Sequence, residues 1–417
     1  MSTGALGDAP VVDFARMRTE RRRRLRDAMD ANGLDAVVLI GPSNQEYAGI
    51  RQPPADAMRM HHEAVVVIIT AASSFANASF GHEAGEADTD APFVWTPFPE
   101  GVPDDVPDDH VHGPLLLEFG EGVEALAQAI REVAPNAGRI GFDEITSPMM
   151  GVLPGLLPGV ELGDATLATG AARIIKTPDE VACLRQSQHI NEVAMYDVEA
   201  ALRPGVRQNE LSAIFLRGVF EQGASSSIID PIWNVTPLSV AAGTLTANDD
   251  VGFPLASNDR FLREGDLILC DTGITWMGYH SDFGKTWICS VDPKPTAAQR
   301  DCYTRWCEVI EAVYSTIKPG ATCGDLVRAA AGVEPKHALR HFYLGHGCGC
   351  DSGEAPFIGS DLGLAYDDSI ELATGMVFVL EPVVWRDGVG GYRSEEIVVV
   401  TDDGFDKLTT YGYTPFA

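Results

Sequence analysis

The sequence predicts two unlike domains: an α/β layer domain over residues 1–168 and an α+β domain over residues 169–417. Three observations carry this division. The chain has 417 residues, more than one hydrophobic core commonly spans. Up to about residue 165, short β-branched runs alternate with helical periods, as in an α/β layer domain. From residue 265 onward apolar strands dominate, with helical segments between them, which suits an α+β domain with a mostly antiparallel sheet.

The elements follow in order. FARMRTERRRRLRDAMDAN (14–32) reads as an amphipathic helix closed by Gly33. The basic run Arg21 to Arg24 inside it reads as a solvated face. DAVVLIG (35–41) and EAVVVIIT (63–70) read as buried strands. Residues 84–114 are rich in Pro, Asp and Gly and read as a long surface excursion. A helix around 120–133 and the strand GRIGFDE (138–144) resume the alternation. The second domain opens at Thr177-Pro178, a good helix start with Asp179 and Glu180 in its first turn. That helix runs to Leu202, and residues 207–222 form another. The strands GDLILCDTG, MGYHSDFGKTWI, GMVFVLEPVVW and YRSEEIVVVT follow, with helices at 295–317 and 322–332 between them.

Composition removes several function classes. Hydrophobic residues make up 45% and charged residues 22%, enough to bury a sizeable core without long disorder. A net charge of -30 argues against nucleic acid or an anionic membrane as partner. No apolar run has the length of a membrane span, and MSTGALGDAP lacks the apolar stretch of a secretory signal. The eight cysteines form no CxxC pair and read as free thiols in a reducing cytoplasm.

Five residues then stand out. Asp271 ends the apolar run LILC, and Asp282 follows in YHSDFGKTW. Gly273 and Met277-Gly278 permit a turn that would bring both carboxylates together. Glu381 shares a strand face with Val377 and Val379, and Glu395 one with Ile397 and Val399. An ionised carboxylate on an apolar face must be paired or bound to metal. A salt bridge to Arg386 or Arg393 would satisfy one glutamate more readily than two. His346 lies among small residues in YLGHGCGCDSGEAP. Each residue alone is explained by a turn, an ion pair or a core histidine. As a set, four acids and one imidazole suit two divalent cations, manganese, iron, cobalt or zinc. The near-match GYHSDFGKT to a phosphate-binding loop has one residue too many and reads as a strand.

The order DTG, SDFGKTW, LGHGxG, LEP and RSEE resembles the creatinase/aminopeptidase P/methionine aminopeptidase family, the M24 peptidases, over residues 173–417. RIIKTPDEVACLR resembles the family's usual entry to its catalytic domain. The resemblance implies a pita-bread α+β catalytic domain with internal pseudo-symmetry, preceded by an α/β creatinase-like N-terminal domain. It implies a dinuclear metal site held by Asp271, Asp282, His346, Glu381 and Glu395, with Asp282 and Glu395 bridging. A water-derived nucleophile and proton movement by Glu381 would follow. Two histidines that family peptidases use to orient their substrate are missing. Gly353 stands at one position and Phe253 or Pro254 at the other.

The implied activity is hydrolysis of a C–N bond in a small amide or short peptide, Xaa-Pro-peptidase-like or creatinase-like. The alternatives are a lyase resembling DMSP lyase, with Asp351, Glu354 or a tyrosine as base, and a non-catalytic binding module. Dimeric relatives complete their pockets from the neighbouring subunit, so the resemblance implies a homodimer. It makes Arg51, Arg59, His61 and His62 substrate candidates, alongside Tyr279, Glu354 and Trp385; Trp233 could also line a pocket.

Overall fold

The computed structural model describes residues 10–50, 65–71, 91–236, 259–335, 344–351, 353–412 and 416. Two compact units result, Asp13–Arg173 and Ile174–Ala417. The division falls after residue 173 because Tyr47 anchors the preceding helix: its hydroxyl donates to Ala172 O at 2.6 Å.

The first unit contains α1 (Phe14–Ala31), β1 (Ala36–Leu39), α2 (Pro42–Ala48), β2 (Val66–Thr70), β3 (Phe93–Trp95), β4 (Val111–His112), α3 (Gly120–Val133), β5 (Arg139–Phe142), α4 (Ser147–Leu156), β6 (Glu161–Asp164) and α5 (Thr166–Ile174). Its six strands form a mixed sheet in the order β4-β3-β2-β1-β5-β6. Two expectations are corrected here. Arg21 and Arg22 are buried, not solvated. Arg22 donates to Ala48 O at 3.1 Å and pairs with Asp105 at 2.9 Å, while Arg21 lies over the Tyr47 ring. Arg22 satisfies a backbone carbonyl and an acid and Arg21 covers a ring, which a count of charges does not reveal. The Pro-rich excursion also carries a buried strand. Phe93, Val94 and Trp95 pair with β2, because three apolar residues in a row outweigh their polar flanks.

The second unit repeats one plan: two helices, then strands. α6 (Pro178–Ala201) and α7 (Gln208–Glu221) precede β7 (Ser226–Ser227), β8 (Ile232–Val235), β9 (Leu267–Thr272), β10 (Ile274–Trp276), β11 (Tyr279–His280) and β12 (Phe283–Ile288). α8 (Ala297–Tyr314) and α9 (Cys323–Val333) precede β13 (Gly345–Gly347), β14 (Glu354–Ile358), α10 (Leu364–Ser369), β15 (Val377–Leu380), β16 (Val383–Arg386), β17 (Gly390–Arg393), β18 (Glu396–Val400) and β19 (Phe405–Lys407). Capping boxes at Thr177/Glu180, Thr296/Gln299 and Thr322/Asp325 start α6, α8 and α9, each satisfying otherwise unpaired helix N–H groups. All strand pairings in this unit are antiparallel. One core gathers residues of α6 and α7 with those of β8, β9 and β12; the other gathers α8 and α9 with β13 to β18. Two sheets therefore face the chemistry, β8-β9-β12 and β14-β13-β15-β18-β19.

Candidate metal centre

The first sheet delivers the two aspartates. Asp271 lies near the end of β9, opposite Gly284 of β12. β10 and β11 form a hairpin whose turn residues, Met277 and Gly278, have φ of 49° and 82°. Positive φ at both positions is the tight turn that matches strand twist. It returns the chain so that Asp282 enters β12 beside Asp271. The polar face of α6 then fixes both ends. Asn191 Nδ2 donates to Thr272 O (3.1 Å) and Ser281 Oγ (2.9 Å), and Gln188 Oε1 accepts from the Asp282 N–H at 3.2 Å.

The second sheet delivers the other three. His346 is the middle residue of β13, opposite Val379. Glu381 directly follows β15, and its N–H donates to Leu344 O at 2.9 Å. Glu395 directly precedes β18, and its N–H donates to Gly284 O at 2.9 Å. Glycines make this approach possible. A Cβ on Gly345 would lie 2.0 Å from Val379 O, and one on Gly347 2.2 Å from Ala355 O. A Cβ on Gly284 would lie 2.5 Å from Glu395 Cδ, so this glycine serves the glutamate and no phosphate-binding loop forms.

All five predicted residues converge. Asp271, Asp282 and Glu395 each place a carboxylate oxygen within 4.8 Å of the others. His346 Nε2 lies 3.3 Å from Asp282 Oδ2 and 3.5 Å from Glu381 Oε1. His346 Nδ1 is 2.9 Å from Gly347 O. A carbonyl only accepts, so Nδ1 carries a proton, and Nε2 is the nitrogen turned to the acids.

Arg393 is the member sequence reasoning did not place in the cluster. It was weighed as the partner of one glutamate, yet it touches three acids. Nη1 lies 3.1 Å from Asp271 Oδ2, Nε donates to Glu381 Oε2 at 3.2 Å, and Nη2 contacts both Glu381 and Glu395. Arg386 pairs instead with Glu334 at 2.7 Å. The signal was available, since a residue two before Glu395 in an extended strand shares its face.

Burial dominates the electrostatics. It raises Asp271 to about 7, against the pull of Arg393 and with the push of Asp282 and Glu381. It raises Glu395 well above the carboxylate range, with Asp271, Asp282 and Glu381 adding repulsion against Arg393. Asp282 goes the other way: burial opposes ionisation, but the His346 hydrogen bond and charge outweigh it. For His346, burial favours the neutral ring, but Asp282 and Glu381 lift its pKa to about 9.

These residues fit divalent metal. Four carboxylates crowd one guanidinium, which contacts three of them, and one imidazole, which contacts Asp282 and Glu381. Glu395 Oε2 is buried with no hydrogen-bond partner, a position that costs free energy unless something fills it. The donors are oxygens and one imidazole nitrogen, the set that suits manganese, iron, cobalt or zinc. Burial pushes the Cys270 thiol up to about 12 and raises Cys348 well above its ordinary value, and each thiol donates to a backbone carbonyl, Lys285 O and His280 O.

Comparison with known proteins decides the family. Residues 182–402, more than half the chain, match metallopeptidase family M24, and residues 21–175 match the creatinase/prolidase N-terminal domain. The chain belongs to metallopeptidase family M24. It is accordingly a metal-dependent hydrolase with a pita-bread catalytic domain behind a creatinase-type N-terminal domain. A probable dipeptidase PepE of Mycobacterium tuberculosis is 30% identical over 294 residues, covering 68% of this chain and 71% of that protein. The Xaa-Pro dipeptidase of Pyrococcus furiosus is 28% identical over 240 residues, 57% of this chain and 63% of that one. A creatinase of a Bacillus species is 24% identical over 414 residues, 95% of this chain and 91% of its own length. Among solved structures, the Xaa-Pro dipeptidase from Bacillus anthracis shares the fold with a TM-score of 0.72 at 22% identity, covering 95% of this chain and 99% of that one.

For this M24 chain, the expected substrate residues are placed less simply than the metal donors. Tyr279 is fully buried, its hydroxyl on Glu180 at 2.8 Å, and Trp233 is fully buried with its indole N–H on Ser212 at 2.9 Å. Both are buried side chains that tie β11 and β8 to α6 and α7. Trp385 is 5% exposed, packed over Gly391. Glu354 is buried and tied to Lys176 at 2.6 Å. Arg51, Arg59, His61, His62, Phe253 and Pro254 lie outside the described residues. Gly353 is exposed, and a Cβ built on it meets nothing within 4 Å.

Proposed function

We propose that this chain hydrolyses a C–N bond in a small amide or short peptide at a dinuclear metal centre, with substrate selection unlike that of an Xaa-Pro dipeptidase. The observation that carries the reading is the contrast at one strand pair. His346 and the acids around it are assembled and buried, while Gly353, in the same string HGCGCDSGEAP, is open where family peptidases have a histidine. Bound cations would supply Lewis-acid polarisation and lower the pKa of a water. Asp271, Asp282, His346, Glu381 and Glu395 would hold them.

The chain's own residues then do the rest. Arg393 occupies Glu381 Oε2, leaving Oε1 turned toward His346. Glu381 would take the proton of the attacking water and return it to the leaving nitrogen. An open Gly353 leaves space for a substrate group that the histidine would otherwise contact. The lyase alternative is weakened because Lys176 already neutralises Glu354, one of its candidate bases. A homodimer, with the segment of Arg51, Arg59, His61 and His62 serving a neighbouring site, belongs to the same proposal, as does a cytoplasmic setting. The eight free cysteines support the latter, and no described helix is long and apolar enough to cross a membrane.

The test is a metal-loaded preparation assayed on Xaa-Pro dipeptides, other dipeptides, creatine and small amides, with metal counted by elemental analysis. Turnover of a non-Xaa-Pro substrate with two bound ions per chain is the expected result. Xaa-Pro cleavage at the rate of a true dipeptidase, or no metal uptake, overturns it.

A further inference from the structure

The five donors come from two separate sheets, so Glu395 of the second must be held against Asp271 and Asp282 of the first. We propose that Lys285 and Thr286 of β12 are positioning residues that clasp the segment Arg393–Glu396 and thereby set Glu395 for metal. The inference rests on the metal-centre reading above and extends it to residues that touch no metal.

The clasp is a continuous set of bonds. Thr286 Oγ1 donates to Arg393 O at 2.8 Å and accepts from the Arg393 N–H at 2.9 Å. Lys285 Nζ donates to Ser394 Oγ at 2.5 Å and to Glu396 Oε1 at 3.0 Å. The Glu395 N–H donates to Gly284 O at 2.9 Å. Residues 393, 394, 395 and 396 are thus each bonded to one of residues 284, 285 and 286. β12 and β18 lie in different sheets, so no regular ladder accounts for these contacts. The two faces of β12 grip alternate residues: Gly284 and Thr286 take Glu395 and Arg393, and Lys285 takes Ser394 and Glu396.

Stability alone does not explain a lysine here. Lys285 is 4% exposed, and Glu396 is also buried, with its other oxygen on Lys407 at 2.9 Å. Replacing a buried ion pair by apolar residues of similar volume is commonly neutral or stabilising. What the pair adds is direction. It fixes the residues on both sides of Glu395, whose carboxylate sits in the space left by Gly284.

Cobalt(II) tests this, because its d–d absorption reports coordination geometry. The chelator-stripped full chain is titrated with Co²⁺ beside three variants. Lys285→Met with Glu396→Met removes the pair without orphaning a buried charge. Thr286→Val is isosteric and removes two hydrogen bonds. Lys285→Arg keeps the cation. The double variant and Thr286→Val should bind Co²⁺ at least about tenfold more weakly, with a changed d–d band, while metal-free melting stays near native. Lys285→Arg should recover most of the affinity. Thr286→Val carries the test should the double variant not fold. Native affinity and an unchanged d–d band in a folded variant would overturn the clasp alone. A native chain that takes up no Co²⁺ would instead overturn the metal reading, and the clasp with it.

Discussion

The metal shell and the turn that follows it, residues 350–354, are built by different physics. The donors in the shell are buried or nearly so, backbone bonds tie Glu381 and Glu395, and Glu395 packs where Gly284 has no Cβ. The turn reaches an exposed Gly353 with no neighbour where a side chain would go, and then the Lys176–Glu354 pair. A buried, cross-braced shell tolerates little change, because removing any one charge leaves others unpaired. An open turn position can change without that penalty. The metal chemistry of a scaffold and its substrate reading can therefore diverge independently.

The largest effect should come from breaking the shell itself. Asp282→Ala should abolish metal uptake and lower kcat/KM by about 10³-fold, roughly 4 kcal/mol of transition-state stabilisation. Elemental analysis beside steady-state kinetics checks this, and unchanged metal content would refute a bridging role. Arg393→Met comes next. It strips the counter-charge from Asp271, Glu381 and Glu395 and should destabilise the metal-free chain by about 3–5 kcal/mol. Urea unfolding with and without Mn²⁺ should show the loss shrinking when metal is present.

Acidity sharpens the comparison further. Asp271 is raised to about 7 and His346 to about 9 in the folded, metal-free chain, and Glu395 is raised as well. The folded state then binds more protons than the unfolded state. Stability from these groups is fully present below their unfolded values, near 4 for the acids and 6.5 for histidine, and is lost as pH climbs to about 9. Asp282 opposes this only at lower pH, because its lowered pKa loses stability as pH falls through the acid range. Metal binding displaces the same protons, so affinity should rise over the window in which metal-free stability falls. Melting temperatures of chelated and Mn²⁺-loaded protein from pH 5 to 9 test the sign, and a chelated protein that grows more stable with pH contradicts it.

The smallest structural change probes the turn. Gly353→His meets open space, and Gly353 is not among the glycines at positive φ, so stability should shift by less than about 0.5 kcal/mol. Turnover of Xaa-Pro dipeptides should rise about tenfold, below the roughly 10²–10⁴-fold that a fully positioned acid–base group supplies. A folded variant with no gain would show that more than this histidine separates the chain from its peptidase relatives.

Much of the site was legible because its residues sit where periodicity makes them anomalous. Glu381 and Glu395 interrupt apolar strands, and Asp271 closes one, so each demands a partner. His346 announced itself by its flanking glycines, and the backbone approaches at Gly345 and Gly347 give the reason. What stayed hidden were contacts between distant segments. Nothing in the helix sequence marks Asn191 or Gln188, yet they hold the two aspartate turns. Tyr279 and Trp233 read as possible pocket walls but are buried behind Glu180 and Ser212, because an aromatic beside a strand carries no mark of which face it takes. Arg21 and Arg22 failed for the same reason: a charge run looks solvated until the surfaces it packs against are known.

By itself, then, the sequence determined most of the main helices and strands, the Thr177 cap that starts α6, and the five residues proposed as metal donors. These depend on local propensity, capping and period, which neighbours in the chain decide. Only the tertiary structure decided that the donors meet, that Arg393 joins them, and that β12 grips the segment carrying Glu395. Those outcomes rest on side chains about a hundred residues apart, Lys285 and Ser394 being separated by 109. Distance in the chain says nothing about which faces of two sheets will be turned toward each other.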